Sequence, residues 1–322
     1  MKVAAIQMTA KPADVSANLE MAKRLVEDAF RAGAELVVLP EFFPSAVNFH
    51  PDFIRASRPA DGEPFLLLRD LAKKHGGFVG GSFMADTGGD TVNRFVLANP
   101  DGSFGFHDKD LPTMWENCYY VGGSDDGIID TPIGPVGAAM CWEFVRTQTA
   151  KRLRGRVKMV VGGSCWWGLP EKLLPGFPRS LDDEMLEIMK DTPSRMAMIL
   201  GVPVVHAAHA GHFTGKMPLI PGFPFKSHML GETSIIDAEG KILARMAFKD
   251  GEGFVIAEIE PKISAEGREP IPEGFWIPKL PWQIRLAWAY QNFHGKWYYR
   301  LRTRPLRQKN GVIPFWVEKQ PD

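Results

Sequence analysis

Cysteine is scarce: Cys118, Cys141 and Cys165 are the only three thiols in 322 residues. Three cannot all pair, and no C-x-x-C occurs, which argues against a disulfide framework or a structural zinc site of the usual kind. An excess of charge of either sign is missing too. The 38 Lys plus Arg balance the 38 Asp plus Glu, so no global field draws the chain to nucleic acid or an anionic membrane. No apolar run approaches the roughly 20 residues that a membrane helix needs, and the opening residues pass straight into strand-like sequence without a signal-peptide core. These absences point to a cytoplasmic protein whose partner is a small molecule or another protein. What is present is apolar material: 45% hydrophobic residues supply a sizeable core, which rules out disorder and fibrous repeats.

Periodicity organises the chain into two similar halves. Residues 2–8 form a Val- and Ile-rich run that reads as a strand. Val15, Leu19, Ala22, Val26 and Phe30 then recur at three- and four-residue steps up to Gly33, the pattern of an amphipathic helix. Residues 35–39 are continuously apolar, as in a strand buried on both faces, and Pro40 ends it, leaving Glu41 at its carboxyl end. A helix over 64–75 and strands over 77–83, 93–98 and 105–109 follow. The second half repeats the order: strand 137–140, helix 144–153, strand 157–162, helix 181–200, strand 202–208, then strands over 232–236, 241–244 and 253–259. Two βαβαβββ halves imply one pseudo-symmetric α/β domain, with two sheets packed together and helices outside. The irregular segments 168–179 and 211–227 are rich in Gly, Pro and Phe and read either as lids or as plain surface loops.

Composition shifts at Pro270, beyond which Trp276, Trp282, Trp288 and Trp297 crowd together with Tyr and Arg. The chain therefore divides into a main domain, 1–269, and an aromatic extension, 270–322. A helix over 282–300 is expected. An extension of this kind packs on its own domain or across a subunit interface, where Trp, Tyr and Arg are enriched, and the interface of a homodimer or larger homo-oligomer is the expectation here.

Cys141 ends the run from Val136 to Met140 and precedes a helical pattern, so it sits on a strand-to-helix turn. Such a turn exposes the side chain and places the thiol near helical N–H groups that favour thiolate and can hold an oxyanion. The other reading of a free Cys is a small buried hydrophobe. Cys165, also at a strand end, precedes Trp166 and Trp167 and reads as core or pocket wall; Cys118 reads as packing. Glu41 would lie on the same sheet rim as Cys141 and is a possible base, although a Glu after Leu-Pro is also a common cap or ion-pair partner. Lys109, at another strand end, could stabilise charge or be a solvated cation.

Taken together, these positions resemble the nitrilase (carbon–nitrogen hydrolase) superfamily from Val3 to about Ile259. The resemblance rests on Val-Ala-Ala-Ile-Gln-Met (3–8), Leu-Val-Val-Leu-Pro-Glu-Phe (36–42), His-Asp-Lys-Asp-Leu (107–111), and Met-Cys-Trp-Glu (140–143) after Gly-Pro-Val-Gly. The stretch Gly231–Asp237 also looks like the family's late strand. The resemblance implies a four-layer αββα sandwich without a cofactor or metal. It implies Glu41 as general base, Lys109 as stabiliser of the tetrahedral intermediate, Cys141 as nucleophile and Glu116 as the residue positioning Lys109 and substrate. The backbone N–H of Trp142 would complete the oxyanion site. The implied activity is hydrolysis of an amide or nitrile through a thioester or thioimidate. Cys-Trp-Glu is nearer to nitrilases, whereas the segment after Lys109 lacks the Thr-His-Gly-Glu run of many of them, so nitrile and amide both stand.

Trp115, Tyr119, Trp142, Trp166, Trp167 and Phe213 are candidate pocket-wall residues for an apolar or aromatic substrate, or else core filler. An amine-accepting acyltransferase and a catalytically silent scaffold of the same fold are the competing functions. A Cys–His protease would need one of eight histidines, none with a local signature. His206, His209 and His212 invite a zinc reading, but His206 and His209 would lie at a strand end on opposite faces, which favours packing.

Overall fold

The computed structural model describes residues 1–46, 51–172, 178–216, 224–273 and 282–310. The opening apolar run forms strand β1 (Lys2–Met8), and the stepped apolar pattern after it forms helix α1 (Val15–Arg31). Asp14 caps α1 by accepting the Ala17 N–H at 3.2 Å. Then come β2 (Leu36–Val38), a two-residue strand β3 (Arg58–Pro59), helix α2 (Glu63–His75), and β4 (Phe78–Asp86), β5 (Thr91–Ala98) and β6 (Phe104–Asp108). After the short β7 (Ile128–Ile129) the order recurs as β8 (Val136–Met140), α3 (Thr147–Leu153), β9 (Val160–Ser164), α4 (Ser180–Leu200), β10 (Val204–Lys216), β11 (Pro224–Ile236) and β12 (Ile242–Ala247). Strand β13 (Gly253–Glu258) follows them.

Strand pairing resolves into two sheets. One runs β6-β5-β4-β2-β1-β13 and the other β7-β8-β9-β10-β11-β12, and they join where Gln7 and Met8 pair with Ala208 and His209. β1, β2 and β4 are parallel, as are β8, β9 and β10, while the last strands of each half turn back antiparallel. β13 crosses from the second half to complete the first sheet against β1.

Alternation along the strands builds the layers. Val3, Ala5, Leu36 and Val38 face the shared interior with Ala138, Met140, Val161 and Val205, whereas Ala4, Ile6, Met8 and Val37 face Ala22, Val26 and Leu68 of α1 and α2. In the other sheet Ala139, Val160 and Val204 pack on Leu153 of α3 and on Met189 and Met196 of α4. Both faces of each parallel strand are therefore dry, which is why these strands read as unbroken apolar runs. Full burial of one such Leu, Ile or Val contributes about 1.5–3 kcal/mol. The architecture is the expected αββα sandwich.

Several boundaries differ from expectation. The helix expected over 144–153 is split: a 3₁₀ turn over Cys141–Val145 is followed by Arg146 in an extended conformation, and α3 begins only at Thr147. Segment 211–227, expected as a loop, carries the arms of the β10–β11 hairpin, with 217–223 outside the described residues. Burial alternates along both arms, but Gly215 and Ser227 fill buried positions and blur the apolar signal. The strand expected over 157–162 is displaced to Val160–Ser164. In segment 168–179, residues 173–177 lie outside the described residues, as does Trp276.

The extension forms α5 (Trp282–Tyr298), a π-helical turn over Tyr299–Thr303 and α6 (Arg304–Asn310). One face, including Ile284, Gln291, Gly295 and Tyr299, is buried on the chain's own domain. Among the described residues no helix is long and apolar enough to cross a membrane.

Candidate active site

Glu41 stands three residues beyond β2, among the strand ends of the first sheet. Its chain direction is set by Phe42, which adopts the left-handed conformation (φ 52°) and gives its N–H to Ser82 Oγ at 3.0 Å. A non-glycine residue bears a cost of roughly 1–2 kcal/mol there, sustained by the surrounding bonds. His209 Nε2 donates to the Glu41 carbonyl at 2.8 Å. The carboxylate itself is fully enclosed: Oε1 accepts from Lys109 Nζ at 2.8 Å and Asn93 Nδ2 at 2.9 Å, and Oε2 accepts the Cys165 N–H at 3.0 Å. Burial raises its pKa to about 7, with the nearby ammonium opposing the rise.

Lys109 follows β6 and is fully buried. Its N–H donates to Asn93 O at 2.9 Å, and its carbonyl accepts the Gly123 N–H at 2.8 Å. Gly122 and Gly123 are required by this approach, since a Cβ at either would fall 2.0 Å from Asp110 O or 2.3 Å from Asp108 O. The ammonium lies 2.8 Å from both Glu41 Oε1 and Glu116 Oε2. Desolvation works against its charge, but the Glu116 and Glu41 carboxylates overcome it and hold the pKa well above that of an ordinary lysine.

Glu116 projects from a 3₁₀ turn over Met114–Cys118. Its Oε2 also accepts the Thr113 N–H at 2.7 Å and the Tyr120 hydroxyl, while Oε1 has no hydrogen-bond partner among the described residues. Cys141 opens the turn after β8 at φ 51°, held by Glu143, whose carboxylate accepts the Met140 N–H at 2.9 Å. One carboxylate oxygen of Glu41, one of Glu116 and the Cys141 sulfur all lie within 4.8 Å of one another. That spacing could suit a metal ion, but the Lys109 ammonium already stands between the two carboxylates.

Two expectations for Cys141 are corrected. Its side chain is 1% exposed, not presented to solvent, and it heads a five-residue 3₁₀ turn rather than an α-helix. Desolvation, reinforced by the Glu41 charge, raises its pKa well above the usual thiol value, so the resting group is a neutral thiol. A neighbouring base is therefore needed to release the proton.

Beneath the site runs a second charged network. His107, two residues before Lys109, places Nε2 3.0 Å from Glu143 Oε1, two residues after Cys141, and Nδ1 against Asp125. Burial disfavours charge on the ring, yet the two carboxylates push its pKa up to about 10. The imidazolium in turn overcomes the desolvation of Glu143 and brings that carboxyl down to about 2. The strand end carrying Lys109 is thus tied to the turn carrying Cys141.

The expected wall residues divide into two groups. Trp142 and Trp166 pack together beside Cys141, ring centroids 4.8 Å apart. Trp115, Tyr119, Trp167 and Phe213 gather with Phe42, Phe53 and Met229 in a neighbouring cluster that also buries Cys118 and Cys165. Cys165 contributes its amide rather than its thiol to Glu41. His206 and His209 lie within β10, not at its end, and point to opposite sheet faces, His206 toward Ser164 Oγ at 2.8 Å and His209 toward Glu41. Burial brings both rings down to about 4, so they are neutral. Sequence reasoning missed Asn93, Tyr120 and the role of His209; Tyr120, four residues after Glu116 on one turn, was the most accessible of these.

A nitrilase of Pyrococcus abyssi is 27% identical over 158 residues, 48% of this chain and 60% of its own length. Nitrilase 1 of Arabidopsis thaliana is 28% identical over 44% of this chain and 47% of its own. The chain thus spans about half the length of these relatives. An omega-amidase of Xenopus laevis is 24% identical over 80% of this chain and 88% of its own. Among solved structures, a carbon–nitrogen hydrolase of Helicobacter pylori superposes with a TM-score of 0.66 at 20% identity, covering 81% of this chain and 89% of that one. An amidase of Nesterenkonia superposes at 0.61 and 18% identity, covering 81% and 93%. The sequence profile of the carbon-nitrogen hydrolase family matches residues 2–268, most of the chain, and the chain belongs to that family.

Proposed function

We propose that the chain hydrolyses a non-peptide carbon–nitrogen bond in a small amide or nitrile, with Cys141 as nucleophile. The observation that carries this reading is the enclosed group of Glu41, Lys109, Glu116 and Cys141, in which a neutral thiol lies beside a carboxylate whose pKa is raised to about 7. Glu41 accepts the thiol proton as sulfur bonds to the electrophilic carbon. Lys109 and the Trp142 N–H carry the negative charge that develops on the carbonyl oxygen or nitrile nitrogen. With an amide, the tetrahedral adduct collapses, the C–N bond breaks, and the nitrogen leaves with the proton that Glu41 returns. A nitrile first gives a thioimidate, to which water adds before the C–N bond breaks and ammonia leaves, giving the same thioester. Water activated by Glu41 then cleaves the thioester and restores the thiol. Glu116, with Oε1 uncommitted, orients Lys109 and accepts from a substrate N–H.

The proposal is tested by intact-mass trapping across a panel of nitriles, amides and carbamoyl compounds, on the wild type and on Glu41→Gln. A stable acyl adduct on Cys141 supports hydrolysis through a thioester; no adduct with any member refutes it.

The proposal includes self-association through the outer face of the extension. Trp282, Leu286, Tyr290, Phe293, Trp297 and Leu301 are all exposed and recur at three- and four-residue steps, a seam that a second copy of the same helix can cover.

A further inference from the structure

We infer that the C-terminal helix, which lies outside the stretch matching the family, is a working part of the catalytic site, and that Asn292 is the positioning residue through which it acts. The inference rests on the reading of Glu116 as a member of that site.

Asn292 Oδ1 accepts two hydrogen bonds from the Glu116 turn, the Met114 N–H at 3.0 Å and Asn117 Nδ2 at 3.0 Å. Met114 is held at φ 52°, a conformation that side-chain-bearing residues rarely adopt unless it is fixed from outside. The preceding amide, Thr113 N–H, grips Glu116 Oε2 at 2.7 Å. Two consecutive N–H groups thus point one at the carboxylate that meets Lys109 and the other at the C-terminal helix. Moving Asn292 away frees the Met114 peptide to relax, and the Glu116 carboxylate turns with it.

The rest of the extension follows the same turn. Gly295 approaches so closely that a Cβ there would fall 2.7 Å from Asn117 Cβ, and Thr303 Oγ1 donates to Cys118 O at 2.5 Å. Tyr299 donates to Asp90 Oδ1 at 2.8 Å and accepts the Thr91 N–H at 3.2 Å, at the start of the strand that carries Asn93. On the same helix Trp288 sets its ring edge-on to Trp142, the residue after the nucleophile, with centroids 4.4 Å apart. A cover that merely hid apolar surface would not need polar contacts to Met114, Asn117 and Cys118 in one turn.

The test compares Asn292→Leu, which keeps bulk and loses the acceptor, with Asn292→Asp, which keeps the acceptor, and with Lys296→Ala on the exposed side of the helix. Hydrogen exchange of residues 113–120 by mass spectrometry is read beside kcat and KM. Asn292→Leu should exchange that segment at least about tenfold faster and lose about tenfold in kcat with KM little changed, while Asn292→Asp and Lys296→Ala stay near wild type. Wild-type exchange over 113–120 in Asn292→Leu, or faster exchange with unchanged kcat, overturns the inference. Should Asn292→Leu be recovered unfolded, Asn292→Ser carries the same comparison. A wild type without Cys141-dependent turnover refutes the proposed function instead, and the exchange measurement still decides whether the helix holds the turn.

Discussion

Lys109 Nζ and Glu41 Oε1 lie 2.8 Å apart although 68 residues separate them in sequence, and neither side chain reaches solvent. A buried cation and anion so placed are each other's principal compensation for lost hydration, so changing one alters the charge state of the other. Lys109→Arg should therefore be nearly as damaging to turnover as Lys109→Ala. The planar, larger guanidinium cannot meet two carboxylates at 2.8 Å as a compact charge and still face an oxyanion. Steady-state kinetics of both variants decide this, and an arginine enzyme that keeps most of its rate would remove Lys109 from the chemistry.

Only one of the three thiols should matter. Cys141→Ala should abolish turnover, whereas Cys118→Ser and Cys165→Ser should retain at least part of it, because the contribution of Cys165 to Glu41 is a backbone N–H that serine also has. Activity of the three variants against a common substrate is the measurement. Near-normal rates from Cys141→Ala would end the covalent mechanism.

The rate should fall on the acid side of neutrality. Glu41 must be ionised to accept the thiol proton, and its pKa is raised to about 7, mainly by burial, so kcat/KM should climb between about pH 6 and 8 rather than near the ordinary carboxylate range. Because the buried groups titrate together, the limb reports the cluster. A profile already flat at pH 5 would contradict a base in this environment.

His107 should be a determinant of stability with a defined pH signature. Its pKa is raised from 6.5 to about 10, so its stabilisation is fully present below pH 6.5 and is lost as pH rises through about 10. For Glu143, lowered from 4.5 to about 2, the stabilisation is present above pH 4.5 and is lost as pH falls through about 2. His107→Ala leaves two carboxylates facing each other and should cost about 3–5 kcal/mol near pH 7. Thermal or urea unfolding of the variant at pH 7 and pH 10 checks the cost and its alkaline decline, since the deficit should shrink at the higher pH.

The exposed seam of the C-terminal helix should govern assembly. Replacing Leu286 and Phe293, each 62% exposed, by Lys should leave the fold intact and lower the sedimentation coefficient to that of a monomer. An unchanged oligomer would place the interface elsewhere.

Much of the fold was legible because its cause is local. Parallel strands dry on both faces must be apolar throughout, so β1, β2 and β8 announced themselves as runs, and α1 as three- and four-residue steps. The hairpin arms of β10 and β11 were hidden because Gly215 and Ser227 occupy buried positions of their alternation, so the period-two apolar signal is broken. Glu41, Lys109 and Cys141 were legible as residues at strand ends in recognisable motifs. Their supports were not: Cys165 lies 124 residues from Glu41, His209 lies 168 from it, and Asn292 lies 178 from Met114.

By itself the sequence determined the element order and the two-half architecture, since these follow from residue type and periodicity, while the candidate reactive groups came from the resemblance of its motifs to the family. Only the tertiary structure decided the protonation state of those groups. It alone also decided that a C-terminal helix braces the Glu116 turn. Desolvation and hydrogen bonding depend on which distant atoms close around a side chain, and neither is encoded in the residues beside it.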